Sequence, residues 1–303
     1  MTPSGNAYTV IKLGYQEYEA EISTYGGGIK ALTYKGKNLV EPYPDSMTPP
    51  MASGVVLAPW PNRIEDGRYQ FQGKSYQLPI TEPERANAIH GLVLDRIWQV
   101  IQAHPHSVEL GISCGPELGF PWQIDIRARY VLDGHGLHAD FIARTPYRAA
   151  PYAFGLHTYL CAQDIDPAQC VLQVSVDKQL ALSDQRKLPQ GIVKATRRAA
   201  DLAAGIALRG QFFDDCFYWS GSGGVRAQLE HNGCGVEMLC SPNLRWQQIF
   251  TPHDFPTSPT GRAVAIEPMS APPNAFVTGT DLVVLMAENS VEHKILIRAL
   301  ENS

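Results

Sequence analysis

The chain has 303 residues, 44% of them hydrophobic and 18% charged, with 25 Lys and Arg against 30 Asp and Glu for a formal charge of -5. That apolar share with so little net charge excludes disorder, and the missing basic excess argues against a nucleic-acid partner. The 26 Gly and 23 Pro imply many turns and few long helices.

Residues 1–10 lack a basic stretch leading into an apolar run, and nowhere do 18 apolar residues follow one another. Neither a secretory signal nor a membrane span is therefore expected. The six cysteines (114, 161, 170, 216, 234, 240) contain no Cys-x-x-Cys pair and no zinc-like spacing. They read as free thiols, and the expectation is a cytoplasmic chain.

In chain order, Tyr25-Gly26-Gly27-Gly28-Ile29 lacks the Gly-Lys-Ser/Thr of a phosphate loop and reads as a strand-linking turn. Residues 69–72 and 75–78 alternate polar and apolar around Gly73-Lys74, predicting a hairpin. The same pattern recurs at 98–103 with 107–113 and at 122–132 with 136–143, the second pair turning at Asp133-Gly134. Strands are further predicted at 171–176, 264–266 and 293–300, and a helix of one or two turns at 197–204. Residues 225–230 and 235–239 pair across His231-Asn232-Gly233, where Asn-Gly suits positive φ. Short strands divided by turns, with no fixed-period repeat and no linker, predict an all-β antiparallel sandwich or barrel forming one domain over residues 1–303.

Four stretches break the pattern. Val56-Leu57-Ala58-Pro59-Trp60-Pro61-Asn62-Arg63-Ile64 ends an apolar run on Arg63, whose rigid fork of donors suits sugar hydroxyls or an anion, or sits on the surface at a strand end. In Asn87-Ala88-Ile89-His90-Gly91 the His-Gly turn either projects His90 into a cleft or holds a structural histidine. His157 lies inside an apolar, aromatic run, Pro151-Tyr152-Ala153-Phe154-Gly155-Leu156-His157-Thr158-Tyr159-Leu160, as a perturbed titratable group or a core residue. Glu267 ends the apolar strand before Pro268; a carboxylate there is either desolvated into a general base or exposed at the strand end. No Gly-x-Ser-x-Gly elbow and no three or four convergent zinc ligands stand out.

Taken together, Asn62-Arg63-Ile64-x-x-Gly67-x-Tyr69, Ile89-His90-Gly91, Gly155-Leu156-His157-Thr158-Tyr159, Asp214-Asp215-Cys216-Phe217 and Glu267-Pro268-Met269 resemble the aldose 1-epimerases, or mutarotases, over most of the chain. The resemblance implies a large antiparallel β-sandwich that interconverts the α and β anomers of a free hexose. It implies Glu267 as general base on the anomeric hydroxyl and His157 as general acid on the ring oxygen, with Arg63, His90 and Asp214 (or Asp215) binding the sugar. Proton transfers suffice for that reaction, so no metal or cofactor is expected, and the implied partner is a small sugar rather than a nucleic acid or membrane. Leu92 after Gly91 and Thr158 after His157 depart from the galactose enzymes, which carry Gly and Pro there. That departure bears on sugar preference. Arg63, Arg68, Arg85 and Arg96 leave open a hexose carrying a 6-phosphate or 6-sulfonate. A non-catalytic sugar-binding protein and a glycoside hydrolase or lyase are the alternatives; the hydrolase would need a second carboxylate across the cleft. Trp60, Tyr152, Tyr159 and Phe276 could face the sugar ring or pack in the core.

Overall fold

Period-two alternation fixes which face of each strand meets the core. In Ile124–Asp133 the side chains of Ile124, Ile126, Ala128, Tyr130 and Leu132 are buried in turn, and its partner Gly136–Arg144 buries Leu137, Ala139, Phe141 and Ala143. The ladder sets Ala128 opposite Phe141 and Tyr130 opposite Ala139. A slip of one residue would turn both apolar sets into water, so the register is strongly specified. The turn between these strands falls at Gly134-His135, one residue past the expected Asp133-Gly134.

The computed structural model describes residues 8–301. Nine antiparallel strands form its largest sheet, in the order Gln99–His104, Ser107–Cys114, Ile124–Asp133, Gly136–Arg144, Val291–Leu300, Cys234–Cys240, Arg226–His231, Val171–Val174 and Ile206–Ala207. A seven-stranded sheet runs Lys178–Leu180, Asp214–Tyr218, Trp246–Phe250, Val264–Met269, Gly155–Leu156 and Val56–Leu57, with Thr158–Leu160 also paired to Val264–Met269. A four-stranded sheet, Val10–Tyr15 to Lys37–Asn38, adds its apolar face to the same core. The sequence reading placed the Gly-rich turn between two of these strands but did not identify the sheet itself.

Phe217, Ile249, Ile266 and Leu156 of the seven-stranded sheet share one core with Leu137, Phe141, Met238 and Ile295 of the nine-stranded sheet. Phe154 sits at the junction, its ring 4.7 Å from Phe141 and stacked 4.8 Å from the buried His293. Truncating a ring at this depth, such as Phe141→Ala, costs about 3–5 kcal/mol.

The helix at 197–204 forms as Arg197–Ala204, capped by Thr196, whose hydroxyl accepts from the Ala199 amide at 3.1 Å, and ended by Gly205. Among the described residues no helix is long and apolar enough to cross a membrane. All six cysteines are free thiols, and five of them are buried.

Candidate active site

The face of the seven-stranded sheet turned away from the main core carries the polar residues. Glu267 lies opposite Gln248, which lies opposite Cys216, so these three form a row across neighbouring strands. The strand expected to stop at Ile266 continues to Met269, so Glu267 is inside it rather than at its end. Pairing with two neighbours carries the ladder past Pro268.

His157 fills the one-residue break between Gly155–Leu156 and Thr158–Leu160. Its amide donates to the Val55 carbonyl at 3.0 Å and its carbonyl accepts from Gly54 at 2.7 Å. Gly54 has φ of +74°, and a Cβ there would sit 1.9 Å from the Ile29 carbonyl oxygen. Only glycine permits this close crossing of chains.

His157 Nε2 and Glu267 Oε1 lie 3.5 Å apart, with 7% and 3% of their side chains exposed. Burial, then the charge of Asp214, push the Glu267 carboxyl from 4.5 up to about 8, with Arg63 pulling the other way. Burial drives His157 from 6.5 down to about 4. Glu267 Oε2 and His157 Nδ1 are buried with no hydrogen-bond partner among the described residues.

His90 stands edge-on to His157, ring centres 5.5 Å apart. Its Nδ1 accepts the Asn62 amide proton at 3.3 Å, which leaves Nε2 to carry the hydrogen of the neutral ring. Burial foremost, and then His157 and Arg63, hold its pKa well below the ordinary value. The ligating atoms of His90, His157 and Glu267 all lie within 4.8 Å of one another, so these are the residues that could hold a cation. That convergence is invisible in sequence spacing.

Arg63 is gripped by Glu82 through two bonds of 2.8 Å, from Nε and from an Nη. Burial works against the Glu82 carboxylate, but bonds from Arg63, Asn87 and Arg85 overcome it and hold its pKa below the usual range. Of the four arginines singled out, Arg63 and Arg85 thus share Glu82, Arg96 pairs with Glu117 at 2.9 Å, and Arg68 bonds Gln77 at 2.7 Å.

Asp214 and Asp215 alternate about their strand. Asp214 accepts from Gln248 at 2.9 Å and pairs with Lys187 at 3.4 Å, beside Glu267. Asp215 bonds Gln179 and Arg198 instead. Asp214 is therefore the acidic residue brought to Glu267 and His157. Trp60, Tyr152 and Phe276 belong to the main core, while Tyr159 tilts against His157 at 5.2 Å. Sequence reasoning missed Glu82, Gln248 and Lys187. Gln248 alone left a trace, as a polar residue in the apolar stretch that pairs with the Glu267 strand.

Fold and site together define an antiparallel β-sandwich with a buried carboxyl–imidazole pair on one sheet face, flanked by an arginine, a second histidine and an aspartate. A family model described as aldose 1-epimerase matches residues 9–298, and the chain belongs to that family. It is 31% identical to the uncharacterized protein YihR of Escherichia coli over 94% of this chain and 91% of that one. It is 29% identical to a galactose mutarotase of Rattus norvegicus, over 46% of this chain and 42% of that one. Among solved structures it is similar to the galactose 1-epimerase of Lactobacillus acidophilus, with a TM-score of 0.84 at 16% identity, covering 100% of this chain and 97% of that one. A galactose mutarotase-like protein of Clostridium acetobutylicum also scores 0.84 at 20% identity, covering 98% and 96%.

Proposed function

We propose that this chain interconverts the α and β anomers of a free, uncharged hexose by acid–base ring opening at Glu267 and His157. The observation that carries the reading is their joint burial 3.5 Å apart with proton affinities driven in opposite directions. The reaction needs a base to take the proton from O1 as C1=O1 forms and C1–O5 breaks, and an acid to protonate O5. Rotation about C1–C2 then exposes the other face of the aldehyde, and the reverse transfers close the ring.

One proton shared by the pair serves both directions. With Glu267 protonated and His157 neutral, the pair is set for ring closure; its tautomer, carboxylate and imidazolium, is set for ring opening. Arg63, His90 and Asp214 are the proposed sugar-binding residues. Arg63 and Lys187 each face a carboxylate, Glu82 and Asp214, which supports an uncharged hexose over a 6-phosphorylated or 6-sulfonated one.

Polarimetry on freshly dissolved α-D-glucose and α-D-galactose tests the reading, with NMR anomer exchange extending it to 6-phospho and 6-sulfo hexoses. Wild type accelerates exchange, and Glu267→Gln and His157→Asn each lose about 100-fold or more while staying folded. Full acceleration in either variant would refute the assignment.

A further inference from the structure

After the edge strand Lys178–Leu180, residues 181–190 fold back on themselves. Leu182 bridges Pro189, the Ser183 amide donates to the Leu188 carbonyl at 2.9 Å, and the Gln190 amide donates to Ala181 at 2.8 Å. The tip of this loop joins two walls of the candidate site. On one side Lys187 Nζ lies 3.4 Å from Asp214. On the other, Arg186 donates to the carbonyls of Arg85 and Ala86, each at 3.0 Å, and to Asp66 at 2.7 Å. The Asn87 amide returns a bond to the Arg186 carbonyl at 3.0 Å. Asn87 also bonds Glu82, so this anchor reaches the network that holds Arg63.

Asp214, paired with Lys187, and Arg63, in the network that Asn87 joins, are the two charges that act on Glu267. Glu267 and His157 themselves are almost wholly buried, with 3% and 7% of their side chains exposed. Lys187 adopts φ of +54°, an uncommon conformation for a non-glycine residue, in presenting its side chain to Asp214. Its 3.4 Å separation from the carboxylate exceeds the roughly 2.7–2.9 Å of a fully formed charge-assisted bond. A loosely paired ammonium and carboxylate offer a donor and an acceptor side by side. A sugar hydroxyl, which both donates and accepts, satisfies both at once.

We propose that residues 181–190 form a cover latched by Arg186 over the candidate site, and that Lys187 on this cover is a sugar-contacting residue sharing a hydroxyl with Asp214. The proposal rests on the sugar-isomerase reading above. The cover opens to admit the hexose, closes with Arg186 on Asp66 and the 85–87 backbone, and brings the Lys187 ammonium onto the hydroxyl that Asp214 accepts from.

Two measurements test it. Amide hydrogen exchange of wild type with and without saturating D-glucose or D-galactose is expected to show slower exchange at 181–190 when sugar is present. Arg186→Met is expected to speed exchange of that loop in the free protein. In steady-state anomer exchange, Lys187→Met raises KM about tenfold or more, as loss of a charged hydrogen bond predicts, with a smaller change in kcat, and Lys187→Arg recovers part of the loss. An unchanged KM in Lys187→Met beside an active wild type overturns the contact. Protection that appears at 264–269 but not at 181–190 overturns the cover. If sugar protects both segments while wild type exchanges no anomers, the isomerase reading fails and the cover stands.

Discussion

Glu267 and His157 are driven apart by the same cause, because a buried carboxyl resists losing its proton and a buried imidazole resists gaining one. With values of about 8 and about 4, the pair holds a single proton across the interval between them. Below the lower value His157 takes up a second proton, and above the upper one Glu267 loses the only one. The expected profile of kcat/KM for anomer exchange is a plateau with an acid limb near 4 and an alkaline limb near 8; a single limb near 6.5 would show an exposed histidine acting alone. Both residues were legible in the sequence, because each is a titratable group inside an apolar run. Glu82 was not. It precedes a proline in a polar stretch, and only the three-dimensional return of the chain buries it against Arg63.

Elements were most readable where strands adjoin in sequence. The pairs Arg68–Phe71 with Lys74–Gln77, Gln99–His104 with Ser107–Cys114, and Arg226–His231 with Cys234–Cys240 form where read to within a residue, the first turning at Gln72-Gly73 rather than Gly73-Lys74, because alternation and turn residues are local information. The catalytic-candidate strands are different. Gly155–Leu156 and Val56–Leu57 span two residues each, and their pairing with distant segments leaves no periodic trace. The His90 turn shows how such a segment is fixed. His90 has φ of +63° and donates its amide to the Asn62 carbonyl at 2.9 Å, while Gly91 at +80° presses so close that a Cβ would lie 2.1 Å from the Ala58 carbonyl oxygen. Gly91→Ala is expected to cost about 1–3 kcal/mol and to displace His90. A lower melting temperature together with a raised KM for hexose would be the signature, and an unchanged KM would remove His90 from the binding wall.

At the scale of the molecule, the two large sheets close on a core that includes one ionisable group with nothing to bond. His293 is buried, stacked on Phe154, with neither ring nitrogen partnered among the described residues. Burial lowers its pKa from 6.5 to about 3. The unfolded chain binds a proton near 6.5 that the folded chain refuses until about 3, so this residue subtracts stability progressively as pH falls through that window. Denaturant midpoints at pH 7 and pH 4 are expected to differ less in His293→Leu than in wild type, and an equal difference would place the acid sensitivity elsewhere.

The thiols carry a practical consequence. Burial pushes Cys114 and Cys170 up to about 12 and raises Cys161, Cys216 and Cys240 as well, so the nucleophilic thiolate is suppressed at five of the six sulfurs. Cys234, half-exposed where its strand begins in the nine-stranded sheet, is left as the site where a maleimide dye would attach to the native protein. A fluorophore placed there rides on the sheet opposite the one that bears Glu267, giving a reporter of folding that leaves the candidate site untouched.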